Sequence, residues 1–92
     1  MNKCLKIILK MEVKEGLLQD FIQKNAKKYN IEGTAQAIDK ETIKIISCGL
    51  NENIDDFVDS LYKGYKNQTP TIVEVEPFLK DRDYRGVFRL IE

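Results

Sequence analysis

Histidine is absent from the 92 residues, and cysteine occurs only twice, at Cys4 and Cys48. Without histidine or a Cys-x-x-Cys pair the usual zinc spacings cannot be assembled, so no metal site is expected. Nor do two isolated cysteines suggest a disulfide framework, and both are read as buried free thiols. An excess of charge of one sign is also missing, because 15 basic residues balance 15 acidic ones. The long-range field that draws a protein to nucleic acid or to an anionic membrane is therefore absent, although local patches are not excluded. The only early apolar run, Leu5 to Leu9, is broken by Lys6 and followed by Lys10; it resembles neither a signal peptide nor a spanning helix. Repeats, low-complexity tracts and linkers are lacking as well. These absences predict a cytoplasmic protein with no cofactor, no nucleic-acid partner and no membrane association.

What is present fits one soluble unit over residues 1–92: 42% of the residues are hydrophobic and 33% charged, too apolar for disorder and long enough for one core. Leu5, Ile7, Leu9 and Met11 alternate with Lys6, Lys10 and Glu12, which predicts a strand with one buried side. After Gly16, residues Leu18, Phe21, Ile22, Ala26 and Tyr29 recur at i, i+3, i+4 spacing and predict an amphipathic helix. Its lysines favour the C-terminal end, and Asn30 is suited to a left-handed terminator. Ile31 to Ile38 and Thr42 to Cys48 flank Asp39-Lys40-Glu41 and predict a hairpin. Asn51-Glu52-Asn53 offers caps ahead of a second helix through Ile54, Phe57, Val58 and Leu61, stopped at Lys63-Gly64. Ile72 to Glu76 predicts a fourth strand, and Val87 to Ile91 is suited to a short fifth at an edge. Phe21, Tyr29, Phe57, Tyr62, Phe78 and Phe88 are assigned to the core or its margins.

The order strand, helix, strand, strand, helix, strand is that of an α+β ferredoxin-like βαββαβ sandwich, an antiparallel sheet covered on one face by two helices. That topology hosts many functions and names none.

A family resemblance enters through particular segments. Ala26-Lys27-Lys28-Tyr29-Asn30-Ile31-Glu32-Gly33 is similar to the Ala-x-x-Leu-Gly-Leu-x-Gly stretch of acylphosphatases, without a gap. The hairpin ending at Gly49, Leu61-x-x-Gly64, Val73-x-Val75 and Phe88-x-Leu90 follow the same family's order and spacing. The family's Val-Gln-Gly-Val-x-Phe-Arg loop corresponds to Val13-Lys14-Glu15-Gly16-Leu17-Leu18-Gln19. The resemblance covers nearly the whole chain and implies an acylphosphatase-like fold with a phosphate-binding loop.

Acylphosphatases hydrolyse carboxyl-phosphate anhydrides. In that family, loop amides and one arginine hold the phosphate, and an asparagine late in the second strand aligns the attacking water. The arginine position is Gln19 here, and glutamine brings no positive charge to a phosphoryl group whose negative charge must be stabilised during transfer. The asparagine position is Ala37, which has no polar atom to orient water. Gln36 should face the other side of the sheet and is a poor substitute. Within the loop equivalent, Lys14, Glu15, Gly16, Leu17, Leu18 and Gln19, the acidic Glu15 takes the first glycine's place; sliding the alignment by one residue puts Asp20, not arginine, at the charged position. The resemblance thus implies a pseudoenzyme, with no catalytic residue intact, that retains a small anion or an acyl phosphate as the candidate ligand of the degenerate loop and has a binding or regulatory role with an unidentified protein partner. The alternative is a divergent active acylphosphatase using Lys14 or Gln19. Lys14, Lys10 and the Asp81, Arg82, Asp83, Arg85 cluster are read first as solvated surface charge. An RNA-binding reading is disfavoured, because Leu5 to Leu9 and Thr42 to Ile46 carry no aromatic stacking platform.

Overall fold

The computed structural model describes residues 2–79 and 83–91. Five strands form one sheet in the order β4-β1-β3-β2-β5: β1 Asn2–Lys10, β2 Glu32–Asp39, β3 Thr42–Leu50, β4 Ile72–Pro77 and β5 Phe88–Ile91. Two helical segments after β1 and a helix α2, Asn51–Lys63, complete the predicted α+β arrangement. Alternation decides which face is buried. Ile7, Ile45 and Ala35 lie side by side across β1, β3 and β2, and all three are fully buried with Leu9 and Ile43. Against this row pack Phe21, Ile22, Ala26, Ile54, Phe57 and Leu61, which come from the helices.

β1 pairs antiparallel with both β3 and β4, and β2 pairs antiparallel with β3. The fifth strand runs parallel to β2 through Gly33↔Phe88 to Gln36↔Ile91, so its addition makes the sheet mixed. Phe88 is buried beneath α2, its ring edge-on to Phe57 at 6.3 Å. The Gln23 amide donates to the Phe88 carbonyl, so the first helix covers part of the edge that β5 would otherwise expose.

The first helix departs from the expected α-helical stripe. A π-helical segment, Leu18–Gln23, runs directly into α1, Lys24–Lys28. Hydrogen bonding to i+5 widens the turn, so the buried side is read at i, i+4, i+5 spacing. Leu17, Phe21 and Ile22 are accordingly buried, while Leu18 and Tyr29 only flank the core. The helix ends as expected at Asn30, whose φ is 56°. Asn30 N–H donates to the Lys27 carbonyl and Ile31 N–H to that of Ala26, the paired bonds of a Schellman ending, with Ile31 buried beyond it.

Three other expectations are corrected. Cys4 and Cys48 are not free thiols but a disulfide. They stand directly opposite each other in the β1–β3 register, a proximity set by pairing between distant segments and invisible to cysteine spacing. The α2 N-cap is Leu50, in extended conformation and without a side-chain cap, so Asn51 to Asn53 lie inside the helix rather than before it. Tyr62 is 56% exposed and stands off the core, because Leu61 beside it already occupies the buried stripe.

Candidate functional site around the β1–helix loop

The topology brings the loop after β1 and the C-terminal end of β2 to the same end of the sheet. β1 finishes at Lys10, opposite Thr42, and Thr42 also faces Asp39 at the end of β2. Past the strand the chain keeps contact with the β2–β3 turn, Met11 N–H donating to the Glu41 carbonyl and Val13 N–H to that of Lys40. The loop then folds back on itself. Leu17 N–H donates to the Lys14 carbonyl at 3.0 Å and Asp20 N–H to the Gly16 carbonyl at 2.8 Å. The φ of Gly16 is 82°, a left-handed value that a tight turn assigns to glycine. Leu17 anchors the loop from below by complete burial.

Lys14 and Glu15 are exposed, and Gly16 is half-buried. The turn's own bonds engage Leu17 and Asp20 N–H, so those of Glu15, Gly16, Leu18 and Gln19 are outside them. These amides sit where the chain enters the helix, the end of a helix that favours an anion. Gln19 is exposed in the first helical turn, with Asp20, also exposed, next to it. The position therefore offers a neutral amide beside a carboxylate. Ala37 is half-buried, paired with Ile43 just before the irregularity that ends β2. Gln36 pairs with Lys44 and lines a cavity on the sheet face away from the helices, as strand alternation predicts. It does not replace the polar group that Ala37 lacks.

A small cavity of about 160 Å³ adjoins the loop, lined by Lys14, Glu15, Leu17, Tyr65, Lys66 and Gln68. Its far wall is a tight turn closed by two bonds, Tyr65 N–H to the Gln68 carbonyl and Gln68 N–H to the Tyr65 carbonyl. Lys66 and Asn67 have φ of 48° and 66°, the consecutive positive values of a primed hairpin turn. This turn is fixed to the end of β1 twice. Glu12 N–H donates to Gln68 Oε1 at 2.9 Å, while Gln68 Nε2 donates to the Glu12 carbonyl at 3.3 Å. The Tyr65 ring stacks on Phe21 with centroids 5.6 Å apart, and the Lys66 ammonium lies 5.2 Å from the Tyr65 ring centroid. Local sequence pattern between Gly64 and Ile72 gives Tyr65 and Lys66 no role. The one local signal was Asn67, a residue that tolerates left-handed backbone.

Lys10 is engaged elsewhere, donating to Thr42 Oγ1 at 2.8 Å. At the same end of the sheet, the Glu41 N–H and then the Thr42 hydroxyl hold the Asp39 carboxyl below its usual value. In the mixed-charge cluster, Asp83 accepts from Arg85 N–H and stabilises a turn; Asp81 and Arg82 lie outside the described residues. No helix among the described residues is long and apolar enough to cross a membrane. A wider, open depression of about 750 Å³ lies between the first helix and β5, away from the loop.

No protein-family model and no curated protein matches the chain. Solved structures do. An acylphosphatase from Bacillus subtilis superimposes with a TM-score of 0.85 at 20% identity, covering 100% of both chains. One from Coxiella burnetii gives 0.85 at 18% identity over 98% of this chain and 93% of its own. The T. kodakarensis HypF gives 0.81 at 17% identity, with this chain spanning 12% of that protein. At such identities the likeness is one of architecture, and the chain has an acylphosphatase-like fold.

Proposed function

We propose that this chain is a cytoplasmic acylphosphatase-like protein that has lost efficient acyl-phosphate hydrolysis and keeps the loop Lys14 to Gln19 as a weak anion-binding surface with a binding or regulatory role. The observation that carries the reading is the pair of side chains at the same end of the sheet, an exposed neutral Gln19 and an apolar Ala37. Hydrolysis of an acyl phosphate requires water oxygen to bond to phosphorus while the bond from phosphorus to the carboxylate oxygen breaks. That step gains from a fixed cation on the phosphoryl oxygens and from a hydrogen-bonded water in line. Gln19 supplies no charge, and Ala37 supplies no hydrogen bond. Glu15 and Asp20 add negative charge at the loop's margins, which weakens rather than strengthens anion binding there.

A second reading is favoured by one observation: Lys14 and Lys66 line the same small cavity. In that reading the chain is a divergent acylphosphatase in which lysine replaces the missing arginine charge, though as a point charge without the planar donor fork.

Steady-state hydrolysis of benzoyl phosphate separates the two. An inert native protein that gains turnover in the double variant Gln19→Arg with Ala37→Asn supports the first reading. Native turnover that Lys14→Gln abolishes supports the second and removes the first.

A further inference from the structure

The sheet face away from the helices carries polar side chains that the loop reading does not use. On β2 and β3, alternate residues Thr34, Gln36, Lys44 and Ile46 share this face, with Gln36 opposite Lys44 and Thr34 opposite Ile46. Ile46 should be open to solvent here, yet it is only 5% exposed. Phe78 and Tyr84, from the chain between β4 and β5, stand beside it and enclose a cavity of about 200 Å³. Ile91, opposite Gln36 on β5, completes an apolar wall with Ile46 and Phe78.

Among the described residues, the cavity has one charged lining group, the Lys44 ammonium. Among the described residues, Lys44, Gln36 and Thr34 make no side-chain hydrogen bond or ion pair. The β4 carboxylates of this face do not satisfy Lys44: Glu76 is paired with Lys6 at 3.4 Å, and Glu74 lies beyond Ile8, which separates it from Lys44 in the register. An ammonium, a carboxamide and a hydroxyl on neighbouring strand positions thus converge beside apolar walls. That combination of a few polar groups with apolar lining is the general make-up of a small-molecule site.

We propose that this face holds a binding site for a small organic monocarboxylate, its carboxylate held by Lys44, Gln36 and Thr34 and its apolar body against Ile46, Phe78 and Ile91. Lys44 is the cation within the cavity and matches a monoanion, while Arg89, opposite Thr34 on the same face, stands outside the lining. A phosphate dianion would gain nothing from the apolar wall. The site lies on the opposite side of the sheet from the core and does not depend on the reading of the loop.

Benzoate is the probe. Amide resonances of the intact protein are followed by two-dimensional NMR during titration with sodium benzoate at constant ionic strength, with benzamide as the neutral control. Saturable shifts are expected at residues 34, 36, 44, 46 and 91, with benzamide binding more weakly. Lys44→Gln should weaken benzoate about tenfold, the factor supplied by one charge-assisted hydrogen bond, and Lys44→Arg should restore most of it. Three results overturn the proposal: no saturable shift, shifts confined to residues 14–19, or equal benzoate affinity in Lys44→Gln and the native protein.

Discussion

Gly33 lies against the carbonyl of Ile46 so closely that a Cβ on Gly33 would run into that oxygen. Its φ of 141° is itself a backbone state that side-chain-bearing residues rarely adopt. Both constraints act on buried sheet at the start of β2. Gly33→Ala is expected to cost about 3 kcal/mol or more, the range of severe overpacking combined with backbone strain. Chemical denaturation followed by circular dichroism measures it, and a loss below about 1 kcal/mol would contradict this packing.

Gln68 has a different task, holding the 65–68 turn to the end of β1 through both its amide oxygen and its amide nitrogen. Replacing it with alanine should lower global stability by about 1 kcal/mol, since the bonds are exposed and water can substitute. The sharper effect should be local: the Glu12 amide should exchange faster with solvent. Unchanged exchange at Glu12 would show that the clamp does not form in solution.

The Cys4–Cys48 bond closes a 44-residue separation between the central strands. Loop-closure entropy of the unfolded chain gives about 4 kcal/mol for such a cross-link, and measured values are commonly about 2–4 kcal/mol. Adding a dithiol reductant, or making Cys4→Ser with Cys48→Ser, should lower the denaturation midpoint accordingly. A cytoplasmic protein would meet reducing conditions, so the same experiment also shows whether the fold survives as a pair of opposed thiols. Identical midpoints in oxidised and reduced protein would mean that the sheet alone supplies the stability.

Asp39 titrates below the ordinary value of 3.8 because Glu41 N–H and Thr42 bond to its charged form and Lys10 adds a favourable field. With the folded value below the unfolded one, the contribution to stability is present above the unfolded pKa and is lost as pH falls through the folded pKa. The effect should be small because the carboxyl is exposed. Carboxyl carbon NMR should show Asp39 remaining ionised to lower pH than an unperturbed aspartate, and Asp39→Asn should remove its share of the acid dependence. An ordinary titration curve for Asp39 would refute the turn geometry.

Much of the fold was legible in local pattern. Leu5, Ile7 and Leu9 announced β1 by alternation, Ile54, Phe57 and Leu61 announced α2 by helical spacing, and Asn30 marked the end of the first helix. Of the candidate site, the resemblance pointed to the loop, Gln19 and Ala37, and strand alternation placed Gln36 on the other face. The second wall of the loop cavity, Tyr65, Lys66 and Gln68, was not legible, because no local rule connects it to Glu12, 56 residues away.

The sequence by itself determined in what order the elements run and which sides of β1 and α2 face inward, since a strand's period of two and a helix's near-fourfold period are fixed by neighbours along the chain. Only the tertiary structure decided that Cys4 meets Cys48, that β5 lies parallel beside β2, and that Lys44 faces Gln36 beneath Phe78 and Tyr84. Each of those outcomes depends on strand register between distant segments, and a register is selected by packing of the whole core rather than by any residue's own preference.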